Sequence, residues 1–137
     1  MESISHAVDR SNYFKVRNIS NFVMEMDAAH IKWWDKECDD GTIKVAVAGS
    51  PIYNGCFPWF VKDQQGLPEP YDIREVLQEH VDPSDAVVLV GVASQGIKYL
   101  EGWASIVTFQ EIKNMTLSEW VADTLDSMGR KASDFHY

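Results

Sequence analysis

Residues 86–93 read Ala-Val-Val-Leu-Val-Gly-Val-Ala, and residues 97–109 carry Tyr99, Leu100, Trp103, Ile106, Val107 and Phe109. Two such runs, rich in β-branched and aromatic residues and parted only by Ser94, Gln95 and Gly96, read as strands joined by a turn. The pair predicts a hairpin at the centre of an antiparallel sheet, with 97–109 the longest strand and Gly102 a bulge.

The rest of the chain supplies helices and further hairpins. Residues 13–17 alternate like a short strand. Asn18 is placed to cap a helix carrying Ile19, Phe22, Val23 and Met26 at i, i+3, i+4 and i+7. Residues 31–37 read as a strand that puts Trp33 and Trp34 on opposite faces, one buried and one exposed. Asp39, Asp40 and Gly41 make a hairpin turn into a strand over 42–48. Asp72 and Glu75 form a capping-box pair that opens a helix with Ile73, Val76, Leu77 and Val81 on its apolar face. Thr116 and Glu119 open a last helix, which buries Leu117, Trp120, Val121 and Leu125 and stops at Gly129. Residues 1–11 read as a flexible N-terminus, 12–129 as one domain and 130–137 as a tail. The fold class is α+β: a mainly antiparallel twisted sheet with about three α-helices packed on it.

Charge narrows the function. Net charge is −9 and the pI is about 4.7, while 45% of residues are apolar, enough for a real core. The balance argues against direct nucleic-acid binding and against anionic membrane surfaces, both of which need a basic footprint. Basic proteins, especially those that handle nucleic acid, are the natural partners. No apolar run reaches the ~18 residues of a membrane span, and Cys38 and Cys56 make neither a disulfide framework nor a CxxC pair. A cytoplasmic protein is expected. Between Asp63 and Asp85 stand seven acids and one base, Arg74. Asp72, Glu75, Glu79 and Asp82 fall at i, i+3, i+7 and i+10, one face of a helix. Glu119, Asp123 and Asp126 repeat the pattern on the last helix. Such stripes are either solvated faces or a phosphate-like row for a basic groove. In the second case desolvated anchors such as Trp33, Trp59 and Phe60 would carry much of the affinity.

Chemistry is sparse. Asp35, Glu37, Asp39 and Asp40 mimic a calcium loop, but its sixth position is Asp40 where glycine is needed and its twelfth is Ala46 where glutamate is needed. His6, His30, His80 and His136 share no metal-binding spacing. No serine sits in a nucleophile elbow, and the glycines form no phosphate cradle. Cys56 lies in an aromatic loop without a nearby base, the setting of an inert thiol. No catalytic residue, metal or cofactor is assigned. Residues 49–70 hold four of the five prolines with Tyr53, Phe57, Trp59 and Phe60. They read as a short strand or ordered loop near 56–61 and then a turn. Long loops often carry function, and a pocket with Cys56 beside His30 or His80 would point to a ligand binder or enzyme.

Four segments also occur together in a recognisable order: Ser11 to Arg17 (SNYFKVR), Asn54 to Pro58 (NGCFP), Asp72 to His80, and Lys98 to Ala104 (KYLEGWA). The chain thereby resembles, over residues 9–128, a group of small acidic proteins of phages, plasmids and other mobile elements. It departs from their pattern at Cys56 and Trp59. The resemblance implies an inhibitor of a bacterial defence system, of anti-CRISPR or antirestriction type, acting in the host cytoplasm on a protein with a basic nucleic-acid-binding surface. An immunity protein for a toxic nuclease uses the same acidic physics and stays open, as does a ligand binder built on the 49–70 loop.

Overall fold

The computed structural model describes residues 5–95 and 99–130. Its elements are β1 (Ser5–Ser11), α1 (Ile19–Ala28), β2 (Lys32–Glu37), β3 (Ile43–Ala48), a single 3-10 turn (Pro51–Tyr53), β4 (Phe60–Lys62), β5 (Pro68–Pro70), α2 (Ile73–His80), β6 (Val87–Gln95), β7 (Tyr99–Val107), β8 (Ile112–Thr116) and α3 (Leu117–Ser127). Six strands form one antiparallel sheet in the order β2-β3-β1-β6-β7-β8, and β4 and β5 form a separate hairpin. The expected α+β class and single domain are observed.

β1, α1, β2, β3, α2 and β6 follow the double split β-α-β order, with β1 between β3 and β6. Both crossover helices therefore lie on one face of the sheet. There Phe22 and Met26 of α1 and Ile73 and Leu77 of α2 join Phe14, Val45, Val47, Val87, Leu89 and Val107 in one core. Asn18 caps α1 by accepting from the Asn21 N–H at 2.9 Å. The helix ends in a Schellman motif, with Ile31 N–H to Met26 O at 2.9 Å and His30 N–H to Asp27 O at 3.2 Å. His30 stands at the left-handed position, φ 57°, where glycine is usual.

β6 and β7 pair without interruption from Val87↔Val107 to Gln95↔Tyr99. Gly102 sits in register opposite Val92, so the expected bulge is absent.

Four further expectations are corrected. Residues 5–11, expected within a flexible N-terminus, form the central strand β1. Its inward positions are polar, Asp9 and Ser11, so hydrophobic alternation gave no signal. Both serve as ligands for neighbouring backbone: Ser11 Oγ accepts from Val47 N–H at 2.9 Å and Asp9 Oδ2 from Phe57 N–H at 2.8 Å. Residues 13–17 make only isolated bridges, Phe14 to Val45 and Val16 to Val81. β8 was not anticipated, because an edge strand reading Ile-Lys-Asn-Met-Thr has little apolar contrast. The last helix buries none of its residues: Trp120 is 54% exposed and Leu117 39%. It packs chiefly against β7 and β8, so only one flank meets protein. The expected tail beyond residue 130 and the turn at Gly96 lie outside the described residues.

Candidate functional site

The four-acid row does not exist as one face. α2 spans only Ile73–His80, with Asp72 its N-cap and Val81 its extended C-cap (ψ 137°), bridged to Val16. Pro83 follows too closely for the helix to continue. Asp72 accepts from Arg74 Nε at 2.9 Å and Nη2 at 3.0 Å, a bidentate pair. Burial alone would raise its carboxyl, but the hydrogen bonds from the Arg74 side chain and backbone hold it below the ordinary range. Asp82 accepts from Ser84 Oγ at 2.6 Å and Ser84 N–H at 2.9 Å, which lowers its pKa. Its Oδ2 lies 3.9 Å from Lys15 Nζ. Glu75 and Glu79 remain, exposed on α2 and outside the three ion pairs found among the described residues.

Glu119, Asp123 and Asp126 are exposed on α3. They do not prolong the α2 patch. α2 lies on the core face, whereas Leu117 at the start of α3 stands over Gly102 on the other face.

The expected aromatic anchors divide. Trp33 is half-buried, with Nε1 donating to Asp27 Oδ1 at 2.8 Å and its ring edge on Phe22, so it fastens α1 to the sheet. Trp34, expected to differ sharply from it in burial, is also half-buried, donating to Tyr13 Oη at 2.8 Å. Trp59 is 45% exposed beneath the Arg74 guanidinium, 5.5 Å from its ring centre. Phe60 is 60% exposed at the rim of a cleft.

That cleft, of about 750 Å³, lies between the end of α1, the 3-10 turn and the β4–β5 hairpin. Its walls include Ala29, Ile52, Tyr53, Val61 and Tyr71, with Glu25 and Lys62 as charged groups. Tyr53 Oη donates to Ala29 O at 3.0 Å, and Tyr71 Oη donates to Glu25 Oε1 at 3.4 Å. Burial, with the Glu25 charge adding, pushes the Tyr71 phenol well above its ordinary value, so it stays a donor. His30 reaches the cleft, but Cys56 and His80 do not. Tyr53 belongs to the 49–70 loop singled out from the sequence, but Glu25 and Tyr71 escaped that reading, because the spacing of each is accounted for by its own helix or loop.

Cys56 faces the other way, toward Asp9. Burial raises its thiol pKa and the Asp9 charge raises it further, the opposite of an activated nucleophile. Burial likewise raises the Asp9 carboxyl, against the lowering effect of the Phe57 N–H. Among the described residues no group of three His, Cys, Asp or Glu side chains is placed to hold a metal ion, and no helix is long and apolar enough to cross a membrane. Comparison with protein-family models, with curated proteins and with solved structures gives no match for this chain.

Proposed function

We propose that this chain is a protein-binding inhibitor of a bacterial defence system, of anti-CRISPR type. It engages the basic surface of a nucleic-acid-handling protein through the exposed acids of α2 and blocks that protein's function. The observation that carries the reading is the pair Glu75 and Glu79, exposed and outside the ion pairs of the described residues, on a chain of net charge −9. At i and i+4 the two carboxylates rise by about 6 Å along the helix. They repel each other by a few tenths of a kcal/mol, which a basic groove would relieve. A field of this sign steers a cationic partner quickly and in a salt-sensitive way. Trp59 and Phe60 stand exposed nearby in sequence as apolar anchors, and the likeness to small acidic mobile-element proteins points to the same class of target.

The test is capture of CRISPR effectors and restriction enzymes by the tagged chain, followed by a DNA-cleavage assay with each captured enzyme. The reading expects cleavage to be inhibited at low salt and inhibition to fall at least tenfold in Glu75→Lys/Glu79→Lys. Inhibition indifferent to those substitutions, or no inhibition of any such enzyme, refutes it.

The cleft favours a second reading, a small-ligand binder. Its volume and largely apolar, tyrosine-bearing walls are those of ordinary ligand sites. Saturable binding of a metabolite, lost in Tyr53→Ala, would support it.

A further inference from the structure

The last turn of α1 reads Glu25-Met26-Asp27-Ala28, two acids and no base. The carbonyl end of a helix carries a partial negative charge and favours cations. Here the chain sets acids on it instead. Asp27 is taken up by the Trp33 indole N–H at 2.8 Å. Glu25 is left half-buried in the wall of the cleft. Beside it stand Ala28 and Ala29, whose side chains end at Cβ, so the backbone end of the helix forms part of the same wall.

Aromatic rings complete this wall. Tyr71 Oη donates to Glu25 Oε1 at 3.4 Å and keeps its proton, because burial and the Glu25 charge raise its pKa. Tyr53 Oη donates to Ala29 O at 3.0 Å. Both phenols are thereby tied to α1, and their rings line the cleft next to Glu25. Among the described residues Glu25 takes part in no ion pair. A carboxylate, a helix C-terminus and aromatic rings all attract positive charge.

The basic residues of the walls are Lys62, on β4, and His30, and both are exposed. Lys62 makes no ion pair among the described residues, with Glu25 or with any other acid. Water screens an exposed charge, whereas the half-buried Glu25 acts partly through protein. The inner wall at the end of α1 is therefore negative, although Lys62 stands at the cleft as well.

We infer that the cleft binds an organic cation, an ammonium group carried on an apolar body. The ammonium sits against Glu25 and the end of α1, beside the Tyr53 and Tyr71 rings, and the body lies on Ile52, Val61 and Phe60. Binding supplies the positive charge that the last turn of α1 lacks. The inference rests on the reading of the cleft as a ligand site and names the charge class of its ligand. It does not depend on the acids of α2.

The test titrates the full chain with three probes that share a benzyl group: benzyltrimethylammonium, benzyl alcohol and phenylacetate. Binding is followed by backbone amide shifts in NMR spectra. Saturable shifts at Ala28, Ala29, His30 and Tyr71 are expected with the cation, with an affinity at least about tenfold above either other probe. Glu25→Gln keeps the shape of the side chain, and it should weaken the cation at least about tenfold. Tyr53→Leu keeps apolar bulk without the ring, and it should weaken the cation about threefold. Benzyl alcohol should bind Glu25→Gln as it binds the parent chain, which reports an intact cleft. Three results overturn the inference and leave the ligand-site reading standing: alcohol or acid binding as tightly as the cation, cation binding indifferent to Glu25→Gln, and cation shifts confined to the acids of α2 and α3. Cleft shifts from none of the three probes overturn both.

Discussion

Gly91→Ala isolates the packing that holds β1, β6 and β7 together. Gly91 occupies an ordinary strand position opposite Trp103. Replacing glycine by alanine in a strand normally gains about 0.5–1 kcal/mol, because the unfolded chain loses freedom. Here an added Cβ falls on the Trp103 indole and on the Asp9 carboxylate. Forcing a methyl into such a site costs about 1–3 kcal/mol. If Asp9 turns away, its hydrogen bond from Phe57 N–H is lost too, about another 1.5 kcal/mol for a charged acceptor. Trp103 is only half-buried and has some room to yield. The balance is a loss of about 2 kcal/mol, roughly 8 °C in melting temperature at this chain length. Gly102→Ala is the matched control. It lies on the neighbouring strand and opposite face, and its added Cβ meets Leu117 Cβ at 3.6 Å and Gly91 O at 3.7 Å, ordinary contacts. It is expected to be neutral or stabilising by about 0.5 kcal/mol. Urea unfolding followed by circular dichroism compares the two variants directly. If Gly91→Ala is as stable as Gly102→Ala, the packing of Trp103 and Asp9 over Gly91 is wrong.

Three further outcomes follow from named contacts. The Asp9 carboxyl has a raised native pKa, so as pH rises above the ordinary 3.8 the unfolded chain gives up its proton first and stability falls until the native carboxyl ionises. Asp9→Asn should flatten that fall in pH-dependent urea midpoints, and it should also move Cys56 alkylation to lower pH by removing the charge that raises the thiol. His30→Gly relieves a left-handed residue with φ 57° at the end of α1, and a gain of about 1 kcal/mol is expected in the urea midpoint; a loss would mean that the His30 side chain stabilises the fold. Arg74 joins Asp72, Asn114 at 3.1 Å and the Trp59 ring. Arg74→Met should cost about 1–2 kcal/mol, discounted for partial exposure, and should shift Trp59 emission; unchanged emission would refute the stacking.

Elements whose own pattern matched their surroundings were legible in the sequence. α1 announced itself through Asn18 and the Phe22 and Met26 stripe, α2 through Asp72 with Ile73 and Leu77, and the central hairpin through its apolar runs. For the two helices the local signal and the buried face coincide, while the hairpin's apolar runs give the core Val87, Leu89 and Val107 and leave Val90, Val92 and Ile106 exposed. β1 failed that test, because Asp9 and Ser11 point inward and are satisfied by Phe57 and Val47, residues far along the chain. The acidic stripe failed differently: its spacing was right, but Val81 was drawn out of the helix by its bridge to Val16, and Arg74 neutralised Asp72.

By itself the sequence determined the α+β class, the helix caps, the central hairpin and the acidic balance, all of which depend on neighbours within a few residues. Only the tertiary structure decided which acids stay free, that Trp33 fastens α1, and that Glu25, Tyr53 and Tyr71 share a cleft. Those outcomes depend on strand order and on which face a crossover helix covers. Residues far apart in sequence become neighbours there, and their charges and apolar surfaces are paired or left unpaired by geometry that no local window contains.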